Sequence, residues 1–187
     1  MQFHGHVCPG LAIGYRVSEL VMSRFGERPS GEELVAIVEN NSCAVDAIQV
    51  VTGCTFGKGN LHFQDHGKQV YTFIQRRSLK ALRIAVKWVS MSETEAEQKA
   101  WKKYNDGDRS EEVQNLVRER KAKKIQEILA ASVEDLFEIK KVTIEPPREA
   151  RIYPSLVCSS CGEKVMETRI RFKDYKILCI PCAETKK

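Results

Sequence analysis

The sequence predicts an α+β domain, a small and mostly antiparallel sheet packed with helices, followed by a small four-cysteine zinc-finger domain. Three observations carry this. Helix-period and strand-period stretches alternate over the first 145 residues; a Glu145-Pro146-Pro147-Arg148 break follows; and two C-x-x-C pairs lie beyond it. The expected division is a core at 1–145, a linker at 146–154, and a zinc-ribbon or treble-clef-like module at 155–187.

Each element has its own signal. Pro9 opens a helix over Leu11 to Phe25, with Gly26 placed to end it. Arg28-Pro29-Ser30-Gly31 is a turn, and the β-branched run Glu33 to Glu39 is a buried strand. Asn40-Asn41-Ser42 supplies capping chemistry for a helix over Cys43 to Thr52, which Gly53 terminates. Leu61 to Gln64 and Gln69 to Ile74 read as two strands joined in a hairpin by Asp65-His66-Gly67-Lys68. Leu82, Ile84, Val86 and Trp88 alternate with polar or small residues, which predicts another strand. Ser92-Glu93-Thr94-Glu95 has the form of a capping box for a charged helix ending near Gly107. A longer helix follows Ser110 with an apolar stripe at Val113, Leu116, Val117, Ile125, Ile128 and Leu129. Ser132 to Asp135 begins a brief helical turn, and Phe137 to Ile144 is extended.

Composition bounds the function classes. With 42% hydrophobic and 29% charged residues, the chain has material for a globular core and lacks the profile of a disordered one. No apolar run approaches the roughly 18 residues of a membrane span, so no membrane association is expected. The start is His/Cys-rich rather than basic and then apolar, unlike a secretory leader. Seven cysteines, four of them in C-x-x-C pairs, indicate metal and thiol chemistry in a reducing, cytoplasmic compartment. The net charge of +5 is modest and reads chiefly as solvated helix faces.

Cys158-x-x-Cys161 and Cys179-x-x-Cys182, with a hairpin over Val165 to Leu178 between them, bring four thiolates around a structural zinc ion. Lys164, Arg169, Arg171, Lys173 and Lys176 could contact phosphate. With Phe172 and Tyr175 as the only interleaved aromatics, nucleic acid is not expected as a partner.

A second cluster opens the chain: Phe3-His4-Gly5-His6-Val7-Cys8-Pro9-Gly10. Cys8 falls at a helix N-terminus, a setting that favours thiolate. Were residues 4 to 8 extended, alternate side chains would lie roughly 7 Å apart and His4 roughly 13 Å from Cys8. His6 and Cys8 are then the feasible ligand pair, with His4 beside them on the substrate side. Cys43 and Cys54 are separated by three helical turns, roughly 16 Å, too far to share one ion within one chain. Each is a candidate lowered-pKa thiol, Cys54 the more so because it sits on a loop beside Lys58. Gly57-Lys58-Gly59 is too short for a nucleotide P-loop but could cradle an anion. Asp46 could orient a histidine.

Three motifs in order then resemble one family. Phe3-His4-Gly5-His6-x-Cys8-Pro9-Gly10, Cys43-x-x-Asp46-Ala47-Ile48-Gln49, and Thr52-Gly53-Cys54-Thr55-x-Gly57-Lys58-Gly59-Asn60-Leu61 look like the signature of the E-type subunit family of formylmethanofuran dehydrogenase. The C-terminal cysteine ribbon resembles that of its longer members. The resemblance implies an α+β core, an intertwined homodimer, a His/Cys cleft that often holds a metal, and association with molybdenum or tungsten enzymes of methanogenesis-related operons. It implies no reaction, because the formyl-group redox chemistry belongs to other, cofactor-bearing subunits. The expectation is a second divalent metal at His6 and Cys8, completed by Cys43 or Cys54, with His4 and Lys58 on the substrate side and Asp46 and Asn60 in support. The alternatives are an accessory subunit whose ribbon docks a partner enzyme or nucleic acid, and a thiol redox pair of Cys8 and Cys54, which would need disulfide reach.

Overall fold

The computed structural model describes residues 2–87 and 93–185. They form two compact units, Met1–Glu149 and Ala150–Lys187.

In the first unit, helix α1 (Pro9–Phe25) is capped at its start by Cys8, whose sulfur accepts from Leu11 N, and stopped by Gly26. Strand β1 (Leu34–Val38) is buried along its whole length. Helix α2 (Ala44–Thr52) ends on Gly53 in the left-handed region, φ 71°, which glycine enters without strain. Strands β2 (Leu61–Phe63), β3 (Val70–Gln75), β4 (Lys80–Val86) and β5 (Phe137–Val142) complete a five-stranded sheet in the order β2-β1-β3-β4-β5. Only β1 and β2 are parallel. Helices α3 (Glu95–Asn105), α4 (Glu111–Ala130) and the short α5 (Val133–Leu136) fall between β4 and β5 in the chain.

The expected hairpin at 61–74 does not form. β1 lies between β2 and β3. Residues 64–69 instead wrap the end of β1, with Gln64 N donating to Val38 O and Lys68 N to Glu39 O. β1 is apolar on both faces, the pattern of a strand covered on both sides of the sheet. The start of α3 also differs from expectation. Thr94 is its cap, in a reciprocal pair with Glu97. Ser92 and Trp88, assigned from sequence to a cap and a strand, lie outside the described residues.

The main core packs α1, α2 and the end of α4 on one sheet face, with Val17, Val21, Ile48, Tyr71, Phe73 and Ile84 fully buried. Val35 and Ile74 fill a smaller cluster with Ile37, Ala81 and Val142. Arg16, 9% exposed, donates to the carbonyls of Ile128 and Leu129 at 2.7 Å each, joining α1 to the C-terminal end of α4. Ala100, Val113 and Val117 join α3 to α4.

The hairpin expected over Val165 to Leu178 forms over its C-terminal half only, and a second hairpin precedes it. β6 (Ser155–Val157) pairs with β7 (Lys164–Met166), and β8 (Arg171–Lys173) pairs with β9 (Lys176–Leu178). Asp174 and Tyr175, both at positive φ, make the two-residue turn of the second. A five-residue helix α6 (Ile180–Glu184) follows.

Candidate metal centres

In the second unit Cys158, Cys161, Cys179 and Cys182 present sulfurs that all lie within 4.8 Å of one another. Gly162, at φ 77°, makes the tight knuckle after the first pair, and its N–H donates to Cys158 O. The Cys158 thiol is pulled down to about 6 by N–H groups of Cys161, Cys179 and Ser160 that point at its sulfur. Four thiolates at this spacing fit a closed tetrahedral zinc site.

In the first unit, α1 and α2 approach with almost no side chain between them. A Cβ on Gly14 would stand 2.1 Å from Ala44 O, and one on Gly10 would stand 3.2 Å from Cys43 Cβ. This brings together Cys8 and Cys43, the residues that immediately precede the two helices. The segment before Cys8 is not extended. Gly5 takes φ 84°, and the chain curls so that His4 Nε2 lies 3.8 Å from Cys8 Sγ, where an extended segment would leave it roughly 13 Å away. His4, Cys8 and Cys43 thus present three donor atoms within 4.8 Å of one another.

Asp46 Oδ2 accepts from His4 Nδ1 at 2.6 Å. That bond fixes the proton on Nδ1 and leaves the Nε2 lone pair facing the sulfurs. Burial, and then the adjacent Cys8, push the Cys43 thiol up. Two neighbouring sulfurs resist joint ionisation unless a cation sits between them. His4 and Asp46 also line a cavity of about 310 Å³, whose walls include Val7, Leu11, Tyr15, Val50 and Leu129.

The other residues singled out in the sequence are placed elsewhere. His6 is exposed, with its ring 4.5 Å from that of His4, centroid to centroid, and its imidazole is not among the three converging donors. Cys54 is fully buried, and its thiol donates to Leu34 O at 3.4 Å. The expectation of a lowered-pKa loop thiol is corrected: burial pushes Cys54 up to about 11. Asn60, also fully buried, donates to the same Leu34 carbonyl and accepts from Thr55 N, so it ties the 55–60 loop to β1. Lys58 opens onto a different cavity, beside Arg76 and Arg77. Native alkylation is therefore expected to label Cys8 and Cys43 and to spare Cys54. Mass spectrometry of a brief iodoacetamide reaction on metal-stripped protein checks this, and rapid labelling of Cys54 would contradict its burial.

Known proteins divide the chain in the same way. Residues 3–138 match the family described as FmdE, molybdenum formylmethanofuran dehydrogenase operon, and residues 151–187 match the prokaryotic dksA/traR C4-type zinc finger. The chain belongs to the FmdE family and carries a C4-type zinc finger at its C-terminal end. A probable S-adenosyl-L-methionine-binding protein of Archaeoglobus fulgidus is 33% identical over 193 residues, covering 97% of this chain and 50% of the relative. The chain thus spans about half the length of that curated relative. The crystal structure of a tungsten formylmethanofuran dehydrogenase FmdE-like protein from Syntrophus aciditrophicus shares the fold, with TM-score 0.62 and 24% identity over 98% of this chain and 87% of that one. Among the described residues no helix is long and apolar enough to cross a membrane.

Proposed function

We propose that the core of this FmdE-family chain is a metal-binding site in which His4 Nε2, Cys8 Sγ and Cys43 Sγ hold a divalent ion, with Asp46 orienting His4. The observation that carries the reading is the convergence of three soft or borderline donors within 4.8 Å, one of them already fixed by a carboxylate. Tetrahedral zinc, with bonds of about 2.3 Å to sulfur and 2.0 Å to nitrogen, needs ligand atoms roughly 3.5 to 3.8 Å apart. The His4–Cys8 separation of 3.8 Å meets that requirement. Thiolate and imidazole together favour zinc over hard cations such as magnesium.

Three protein ligands leave a fourth position open, the pattern of catalytic rather than structural zinc sites. A zinc ion so held supplies Lewis acidity toward a carbonyl-like oxygen or a water. The protein residues contribute orientation and an apolar surface. Asp46 keeps the His4 tautomer, and the neighbouring cavity offers an apolar wall to a bound molecule. His6, beside the His4 ring, is a further imidazole at the site. A homodimer, a cytoplasmic location and attachment to a larger molybdenum or tungsten enzyme belong to the same proposal, supported by the family. A second reading, an accessory protein, draws support from the zinc-finger unit, where Phe172 and Tyr175 are exposed.

Asp46→Asn tests the site without removing a ligand. Metal affinity should fall about 10- to 100-fold, with stoichiometry retained at saturating zinc. Competition with a chromophoric chelator reads this, and an unchanged affinity would remove Asp46 from the site. Cys8 and Cys43 must give up any bound protons to ligate, so affinity should rise with pH.

A further inference from the structure

Cys8 and Cys43 belong to one donor set whose atoms lie within 4.8 Å of one another, and the close approach of α1 and α2 at Gly14 and Ala44 holds the two sulfurs near each other. Both are half-buried free thiols. Cys54, the partner the sequence suggests for Cys8, is fully buried, with its thiol on Leu34 O. Among the cysteines of the first unit, Cys43 is therefore the one placed to react with Cys8. Closing the gap to the roughly 2.0 Å of a disulfide asks for at most about 3 Å of movement, shared by two side chains.

The two sulfurs differ in their surroundings. Cys8 caps α1, and its sulfur accepts from Leu11 N at 3.4 Å. Its other neighbour is His4 Nε2 at 3.8 Å, the lone-pair nitrogen of an imidazole whose Nδ1 donates to Asp46 Oδ2 at 2.6 Å. Cys8, His4 and Asp46 thus stand in line as nucleophile, base and orienting carboxylate. Cys43 makes no such cap bond. Burial and the adjacent Cys8 push its thiol up, which suits it to react second.

We propose that in the metal-free site Cys8 and Cys43 act as a dithiol that reduces a peroxide and closes to a disulfide, with Cys8 as the attacking sulfur. The same sulfurs hold the ion in the metal reading, on which this builds, so metal binding and oxidation exclude each other. His4 Nε2 takes the Cys8 proton, and the Cys8 sulfur attacks one oxygen of hydrogen peroxide. The O–O bond breaks, Cys8 becomes a sulfenic acid, and the departing hydroxide takes the proton from His4 and leaves as water. The Cys43 sulfur then attacks the Cys8 sulfur, the S–O bond breaks, and that hydroxide leaves with the Cys43 proton as a second water. Two thiols lose two electrons and two protons, and one peroxide becomes two waters. Once the pair is closed, His4 is the one donor left of three, too few to hold the ion.

The test adds hydrogen peroxide to the full chain with zinc bound and after chelation, and maps non-reduced peptides by mass spectrometry. The metal-free chain should show a Cys8–Cys43 link that dithiothreitol reverses, with Cys54 still a thiol. The zinc-bound chain should form it at least about tenfold more slowly, because the metal engages the same electron pairs. In Cys43→Ser the sulfenic-acid trap dimedone should label Cys8, whereas Cys8→Ser should leave Cys43 unlabelled. His4→Ala should slow the first step about 100-fold. Added imidazole should restore part of that rate, which a merely structural role for His4 would not allow. Should the variants fold poorly, the map of the unaltered chain still decides. No link, Cys8 linked to another cysteine, or Cys8 carried to sulfinic acid while Cys43 stays a thiol would overturn the proposal and leave the metal reading untouched. Equal rates of linkage with and without zinc would support the dithiol and contradict zinc on these sulfurs.

Discussion

Stripping zinc from the second unit should unfold residues 150–185 and leave the first unit intact. The buried core of this unit is Cys158, Leu178 and Cys179, joined by half-buried Val165, Cys182 and Ala183. Half of that cluster is three of the four ligand cysteines. Two three-residue hairpins and a five-residue helix cannot bury enough apolar surface to offset the entropy of ordering them. Structural zinc in small fingers contributes an apparent 10–16 kcal/mol or so near neutral pH, more than such a module otherwise has. The expected result is collapse of amide dispersion for these residues on chelation, while the first unit stays folded and its signals shift only around His4, Cys8 and Cys43. Cys179→Ser should do the same without a chelator. Retention of both hairpins in metal-free protein would show that zinc is not what holds them.

Gly14→Ala is the second large effect. Its new methyl would stand 2.1 Å from the Ala44 carbonyl oxygen and 2.6 Å from Ala44 Cα, backbone atoms that cannot swing aside. α1 and α2 must separate, and overpacking of this kind costs typically 1–3 kcal/mol, with rigid backbone neighbours placing it at about 3. For a domain of this size the melting temperature should drop by about 6–12 °C. Cys8 and Cys43 precede these two helices, so the separation also spreads the donor set. Gly10→Ala meets Cys43 Cβ at 3.2 Å, a contact that can be relieved by a few tenths of an ångström. It should cost less stability and still lower metal affinity. Thermal melts and zinc titrations of both variants check this, and a Gly14→Ala protein as stable as the parent would contradict the close helix contact.

Period and punctuation make most elements legible in the sequence. Gly26 and Gly53 end the helices they are placed to end, and the strands at 34–38, 61–63, 70–75, 80–86 and 137–142 fall on β-branched or alternating runs. The pairing of those strands is not legible. Asp65 to Lys68 has turn chemistry, but local turn chemistry does not say whether the two strands pair with each other or on either side of β1. The donor set is partly legible. Spacing exposes His4, His6, Cys8, Cys43 and Asp46 as chemistry-bearing residues, while the choice of His4 over His6 depends on the positive φ of Gly5, which reverses the extended geometry. Cys54 shows the limit from the other side. Its loop position suggests reactivity, yet Leu34 O claims its thiol. Gly14 carries the least signal of all, since a glycine inside a helical pattern does not announce which backbone it lets approach.

Metal analysis of the purified chain tests the central claim most directly, comparing full-length protein with a version ending at Glu149 and with Cys8→Ser in each background. Two zinc ions per full chain, one in the shortened chain, and none in the shortened Cys8→Ser chain are predicted. One zinc per full chain, wholly lost on removing residues 150–187, would contradict a metal centre built from His4, Cys8 and Cys43.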